Sequence, residues 1–154
     1  MISSSLRSVL LVILLVVVLA VSGCSGPFGL LPGGLLDGEA RSAPGDWGFA
    51  GGYGTAQLET QPDDPYSVNL AFTVLDGRLY INAGDTETQW VKNMTADPLV
   101  RLRIEGTIYL LRAERVTDRA EIATFGKVWA SQSRFLRDPA ELEDEVWVYR
   151  LVTR

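Results

Sequence analysis

The 154-residue chain contains no histidine. That absence excludes Ser-His-Asp and Cys-His catalysis and histidine-ligated zinc. It has one cysteine, Cys24, so no disulfide can form within the chain. General acid–base work would fall to carboxylates, Lys or Tyr, and no constellation of these marks a catalytic residue. Positive charge is also scarce. Lys and Arg number 14 against 19 Asp and Glu, a formal net charge of −5, which argues against a nucleic-acid partner. The acidic group Glu141, Glu143, Asp144 and Glu145 reads as a solvated run, so no metal site is expected. Long apolar runs are missing too, with one exception at residues 9–21. At about 1.5 Å per residue that run covers roughly 20 Å as a helix, short of the ~20 residues that cross a bilayer.

What is present begins with that run. Arg7 precedes it and the small residues Ser22 and Gly23 follow it, the order of a secretory signal. Val21-Ser22-Gly23-Cys24 resembles the lipobox of bacterial lipoproteins, in which small residues precede a cysteine that receives the lipid. The resemblance implies that the Cys24 thiol is linked to a diacylglycerol and becomes the first mature residue. The expected organisation is a signal peptide over 1–23, a lipidated Gly/Pro-rich tether over 24–45, and one domain over 46–154. An uncleaved N-terminal anchor is the alternative. Either way the partner is a membrane, through lipid at Cys24 or through the run, and the location is the cell envelope outside the cytoplasm. Ser25 is not acidic, which favours the outer membrane in a two-membrane organism. Within the tether, Leu30-Leu31 and Leu35-Leu36 are unusual. They either dip into the membrane interface or pack on the domain.

From Trp47 onward the pattern is globular. Strands are expected at Gly54–Thr60, Ser67–Leu75, Arg78–Ala83, Leu99–Glu105, Thr107–Val116 and Val146–Val152. Alternation supports them: Val68, Leu70, Phe72 and Val74 share a face, as do Val100, Leu102 and Ile104. Asp76-Gly77 is a two-residue hairpin signal. Thr86 with Gln89 fits a capping box for a short helix on which Trp90 and Met94 share a face. Asp97-Pro98 stops it. Asp118 can cap a second helix to about Phe135, with Ile122, Phe125, Val128 and Trp129 inward. The expected fold is mainly β with two helices, a six-stranded antiparallel barrel that leaves few exposed edges.

Three stretches carry a family likeness: Leu75-Asp76-Gly77-Arg78-Leu79-Tyr80-Ile81, Trp90-Val91-Lys92-Asn93-Met94, and Ala96-Asp97-Pro98-Leu99-Val100-Arg101-Leu102. They resemble the flavin-binding split-barrel proteins, which include pyridoxamine-phosphate-oxidase-like enzymes and deazaflavin-dependent nitroreductases. The resemblance runs from about Gly54 to Leu151. It implies a split β-barrel, a homodimer with the cofactor at its interface, and FMN or deazaflavin as cofactor. The matching cofactor-binding positions are Thr86, Thr88, Lys92 and Asn93, near a helix start whose N–H groups attract anions. The sequence departs from the pattern at Asp85 and Glu87, whose carboxylates would repel a phosphate. Each position also has a structural reading. Thr86 caps the helix, Trp90 packs in the core, Asn93 satisfies backbone groups and Lys92 is a surface charge. Arg101, Arg103 and Arg112 form either a basic strip or cross-strand pairs with Glu105 and Glu114.

Three functions follow. The first is a tethered barrel that binds flavin or deazaflavin for redox chemistry, with electrons carried by the cofactor. The second is a non-catalytic small-ligand module, and the third a structural envelope lipoprotein.

Overall fold

The computed structural model describes residues 26–132 and 146–154. The run at 9–21, Cys24, the helix end near Phe135 and the acids at 141–145 lie outside the described residues.

Among the described residues, seven strands and two α-helices follow one another: β1 (Glu39–Ser42), β2 (Tyr53–Thr60), β3 (Tyr66–Leu75), β4 (Arg78–Ala83), α1 (Gln89–Ala96), β5 (Leu99–Ile104), β6 (Thr107–Arg115), α2 (Arg119–Gln132) and β7 (Trp147–Thr153). Six strands close in the order β2-β3-β4-β7-β6-β5, because β6 pairs with both β5 and β7, and β5 returns to β2. This is the antiparallel six-stranded barrel that alternation and turn signals predict. The hairpin turns supply the local reason. Asp76 and Gly77 both have positive φ, 50° and 70°, the geometry of a type I′ turn. Glu105 and Gly106 repeat it at 48° and 83° between β5 and β6.

The barrel interior is filled by one side of each strand. Leu58, Phe72, Leu79, Ile81, Leu102, Leu111 and Leu151 are buried there, and Met94 and Val91 of α1 plug one end. Half-buried Trp90 packs on the same cluster, as its helical spacing with Met94 implies. A second cluster lies outside the wall. Tyr80 of β4 and Val148 of β7 face outward beneath Phe125, Ile122 and Trp129 of α2. Asp118 caps α2 by accepting a bond from the Glu121 N–H at 2.8 Å, the expected role for an Asp at that position.

The seventh strand corrects the reading of 24–45 as a tether. Over its described part that segment lies on the barrel. β1 runs parallel to β6 at Glu39↔Thr107 through Ser42↔Leu110, and β7 takes the rest of the same edge, Leu111 to Arg115. Gly33 exchanges two backbone hydrogen bonds with Ser67, at 2.8 and 2.9 Å. Leu36 is only 1% exposed. Gly and Pro suppress helical and strand periodicity here without preventing packing, because long-range hydrogen bonds and one buried leucine fix the path. The leucine pairs therefore divide: Leu36 packs on the domain, whereas Leu30, Leu31 and Leu35 are exposed.

Candidate functional site

The approach to α1 is built by short side chains. Asp85 Oδ1 accepts the Glu87 N–H at 2.9 Å, and the Thr88 hydroxyl donates to the Asp85 carbonyl at 3.1 Å. The helix starts at Gln89, with Thr88 in the capping position and no side-chain cap bond. This corrects the capping box proposed for Thr86 and Gln89. Asp85 organises the turn first, because Asp readily bonds backbone two residues on, so the capping position falls at Thr88, two residues after Thr86.

The four candidate cofactor positions do not converge. Lys92 is exposed and pairs with Glu87 at 3.2 Å. Asn93 points the other way and is buried. Its Nδ2 donates to Thr60 Oγ1 at 3.0 Å, and its Oδ1 accepts from Gln89 Nε2 at 2.8 Å. Asn93 thus pins α1 to the end of β2. The Thr88 hydroxyl is already used, and only Thr86 has neither role. At the mouth of this short helix the one cation is paired with one of the two carboxylates. As placed, Thr86, Thr88, Lys92 and Asn93 do not fit a phosphate.

The arginines are also committed, mainly to partners the sequence does not suggest. Arg101 donates through Nη1 to both Glu59 oxygens, at 2.8 and 3.1 Å, and through Nη2 to the Leu36 carbonyl at 3.0 Å. Arg103 donates to Gln57 Oε1 at 2.6 Å and to the Asp37 carbonyl at 2.8 Å. Both are direct cross-strand neighbours, Glu59↔Arg101 and Gln57↔Arg103. Arg112 pairs with Glu114 at 2.6 Å along its own strand. The basic strip therefore resolves into pairs. Glu114 is a partner, though along the strand rather than across it, and Glu59 and Gln57 take the cross-strand part expected of Glu105.

A second polar constellation lies on the outer wall between β4, β7 and α2. Glu121 Oε1 accepts from the Tyr80 hydroxyl at 2.7 Å and from Arg150 Nη1 at 2.9 Å. Arg150 Nη2 reaches Glu114 at 3.3 Å. Burial opposes the charge on Arg150, but Glu114 and Glu121 outweigh it and hold its pKa above the ordinary value. Burial raises the Tyr80 pKa, and its bond to Glu121 raises it further. Burial likewise raises that of Tyr149, against the opposing effects of Arg115 and Thr95. Both tyrosines favour the protonated form when folded. Their stabilisation is complete below the unfolded value near 10 and is lost as pH rises through the folded values. Urea midpoints should hold steady between about pH 7 and 9 and fall above about pH 10. Tyr80→Phe should flatten part of that fall.

Beside this network is a cleft of about 440 Å³, bordered by Trp47, Gly77, Arg78, Glu114 and Arg150 and by the end of β7. Its size is that of a small-molecule site. Trp47 is held there from both sides. Its backbone N–H donates to the Gly77 carbonyl at 2.9 Å, and its ring meets Tyr109 edge-on at 4.9 Å. Sequence reading misses Arg78, Tyr80, Glu121 and Arg150 as a group. They come from β4, α2 and β7, and nothing in their spacing links them.

No protein-family model matches the chain, and no curated protein matches it in sequence. Solved structures do share its fold. A conserved hypothetical protein of Mycobacterium tuberculosis superposes with a TM-score of 0.53 at 21% identity, over 65% of this chain and 72% of the other. A Listeria innocua protein named for pyridoxamine 5′-phosphate oxidase gives 0.50 at 16%, over 65% and 83%. A Bacteroides thetaiotaomicron protein named for 5-nitroimidazole antibiotic resistance gives 0.50 at 12%, over 64% and 72%. The likeness is one of fold, and it is the split barrel that the sequence resemblance implies.

Proposed function

We propose that this protein is a membrane-held split barrel outside the cytoplasm that binds an aromatic ring system of the flavin or deazaflavin class. The chain contributes binding and orientation and no reacting group of its own. The observation that carries this reading is the closed barrel with an outer cleft of about 440 Å³ between Trp47, Arg78 and Arg150. The Listeria protein named for an oxidase has the same fold, which makes a redox ligand the first class to test. The chain has no histidine, and its one cysteine is Cys24. Electrons would therefore come from the ligand. Attachment through lipid at Cys24 and pairing of two copies belong to the same proposal.

Absorbance of the purified chain tests it. A yellow protein, or a colourless one that takes up riboflavin, FMN or deazaflavin, supports the reading. A colourless protein that takes up none of them leaves the structural envelope lipoprotein.

The geometry of α1 makes a sharper prediction. Without a phosphate cradle at Thr86–Asn93, Lys92→Ala should change FMN affinity by no more than about threefold, under 1 kcal/mol of difference. Titration calorimetry on the two proteins measures it. A loss of tenfold or more would show that a phosphate site exists there after all.

A further inference from the structure

The four apolar side chains left exposed near the start of the barrel lie within eight residues: Phe28, Leu30, Leu31 and Leu35. Phe28 is 82% exposed and Leu30 fully so. They are not on a loose strand. Phe28 and Leu31 exchange backbone hydrogen bonds at 2.9 and 3.1 Å, closing a turn over Gly29, whose φ is +58°. Asn69 of β3 donates its Nδ2 to the Gly29 carbonyl at 2.9 Å. Gly33 is bonded to Ser67, and Leu36 is clasped by Glu59 and Arg101. The turn is thus fixed to the β2–β3–β5 wall at both ends, with its apolar side chains outward. Residues 25–36 carry no charge.

The position of the membrane attachment bears on this turn. Gly26 sits against the wall, where an added Cβ would lie 3.2 Å from Arg103 Nη2. Cys24 is two residues earlier, a reach of about 7 Å. Lipid on Cys24, or an uncleaved run at 9–21, brings the bilayer surface to the barrel wall rather than holding the domain away.

We infer that the Phe28–Leu35 turn is a second membrane contact, inserted at the boundary of headgroups and acyl chains. It orients the barrel with the β2–β3–β5 wall toward the bilayer and α2 away from it. A preformed turn gives up little conformational entropy on insertion, and apolar area beside an anchor strengthens a single-point attachment. The inference rests on the membrane-held reading.

The test uses the full chain, produced in a bacterium that processes lipoproteins and reconstituted in phosphatidylcholine–phosphatidylglycerol vesicles. Nitroxide is attached at Leu30→Cys or, on the opposite wall, Lys127→Cys. Collision with oxygen, relative to a water-soluble nickel chelate, should be about tenfold higher at position 30 than at 127. Equal ratios on vesicle-bound protein would overturn the inference. So would low access of both probes at position 30, which would mean that a protein covers the turn. The unsubstituted chain, treated with the same label, keeps the two readings apart. Labelling at Cys24 shows that the lipid is missing, whereas failure to sediment with vesicles shows that the membrane-held reading itself fails.

Discussion

Glu59→Ala should cost about 3–5 kcal/mol of folding stability, the usual result of removing one member of a buried ion pair. Glu59 is 2% exposed and serves two partners at once. It accepts from Arg101 through both oxygens and from the Leu36 N–H. Its loss leaves the Arg101 Nη1 group and the Leu36 N–H without their acceptor, which costs more than the contact itself contributes. The melting temperature should fall by roughly 10 °C or more. Because the same carboxylate holds Leu36, the segment 26–37 should also become open to protease before the barrel unfolds. Glu59→Gln keeps the shape and one acceptor, and should fall between. Denaturant melts and limited proteolysis measure the two effects. A loss below about 1 kcal/mol would mean that the Glu59–Arg101 pair adds little to what the backbone bonds and the burial of Leu36 already supply.

Phe125→Ala should have a comparable effect through a different mechanism, about 3–5 kcal/mol from lost burial and the cavity left behind. Phe125 is buried against Tyr80, with ring centroids 5.8 Å apart, and against Val116 and Val148. Among the described residues of α2, only Phe125 and Gly126 are buried. Hydrogen exchange should therefore show α2 losing protection while the β2–β3–β5 wall keeps it. The Tyr80–Glu121 bond depends on the same docking, so the alkaline fall in stability should shrink in this variant. Uniform loss of protection across the barrel would show instead that α2 is part of one cooperative unit with it.

Different parts of the protein were legible in the sequence to different degrees. The hairpin at Asp76-Gly77 could be read because two consecutive positive φ values admit few residue types. The barrel strands could be read because one face is buried and the other wet, which writes a period of two into the sequence. Asp118 could be read because a cap acts on N–H groups two or three residues away. β1 could not. Glu39–Ser42 is exposed throughout, and a strand held by backbone bonds to β6 leaves no periodic mark. Glu59 was equally hidden. It alternates with Ala56 and Leu58 and so reads as facing water, and it does leave the barrel interior. A segment more than 20 residues earlier then covers it.

The candidate site divides in the same way. Lys92 and Asn93 are adjacent in sequence, and a helix turns adjacent residues about 100° apart. One meets Glu87 in solvent and the other meets Thr60 in the wall. The sequence by itself determined the split-barrel pattern, the absence of histidine, and a lone cysteine beside an apolar run, because composition and short-range periodicity are local properties. Only the tertiary structure decided which arginine meets which carboxylate, that 26–45 is packed on the barrel, and that Arg78, Tyr80, Glu121 and Arg150 lie together. Those are contacts between residues distant in the chain, and only barrel closure with the docking of α2 and the N-terminal segment on its wall brings them within a few ångströms.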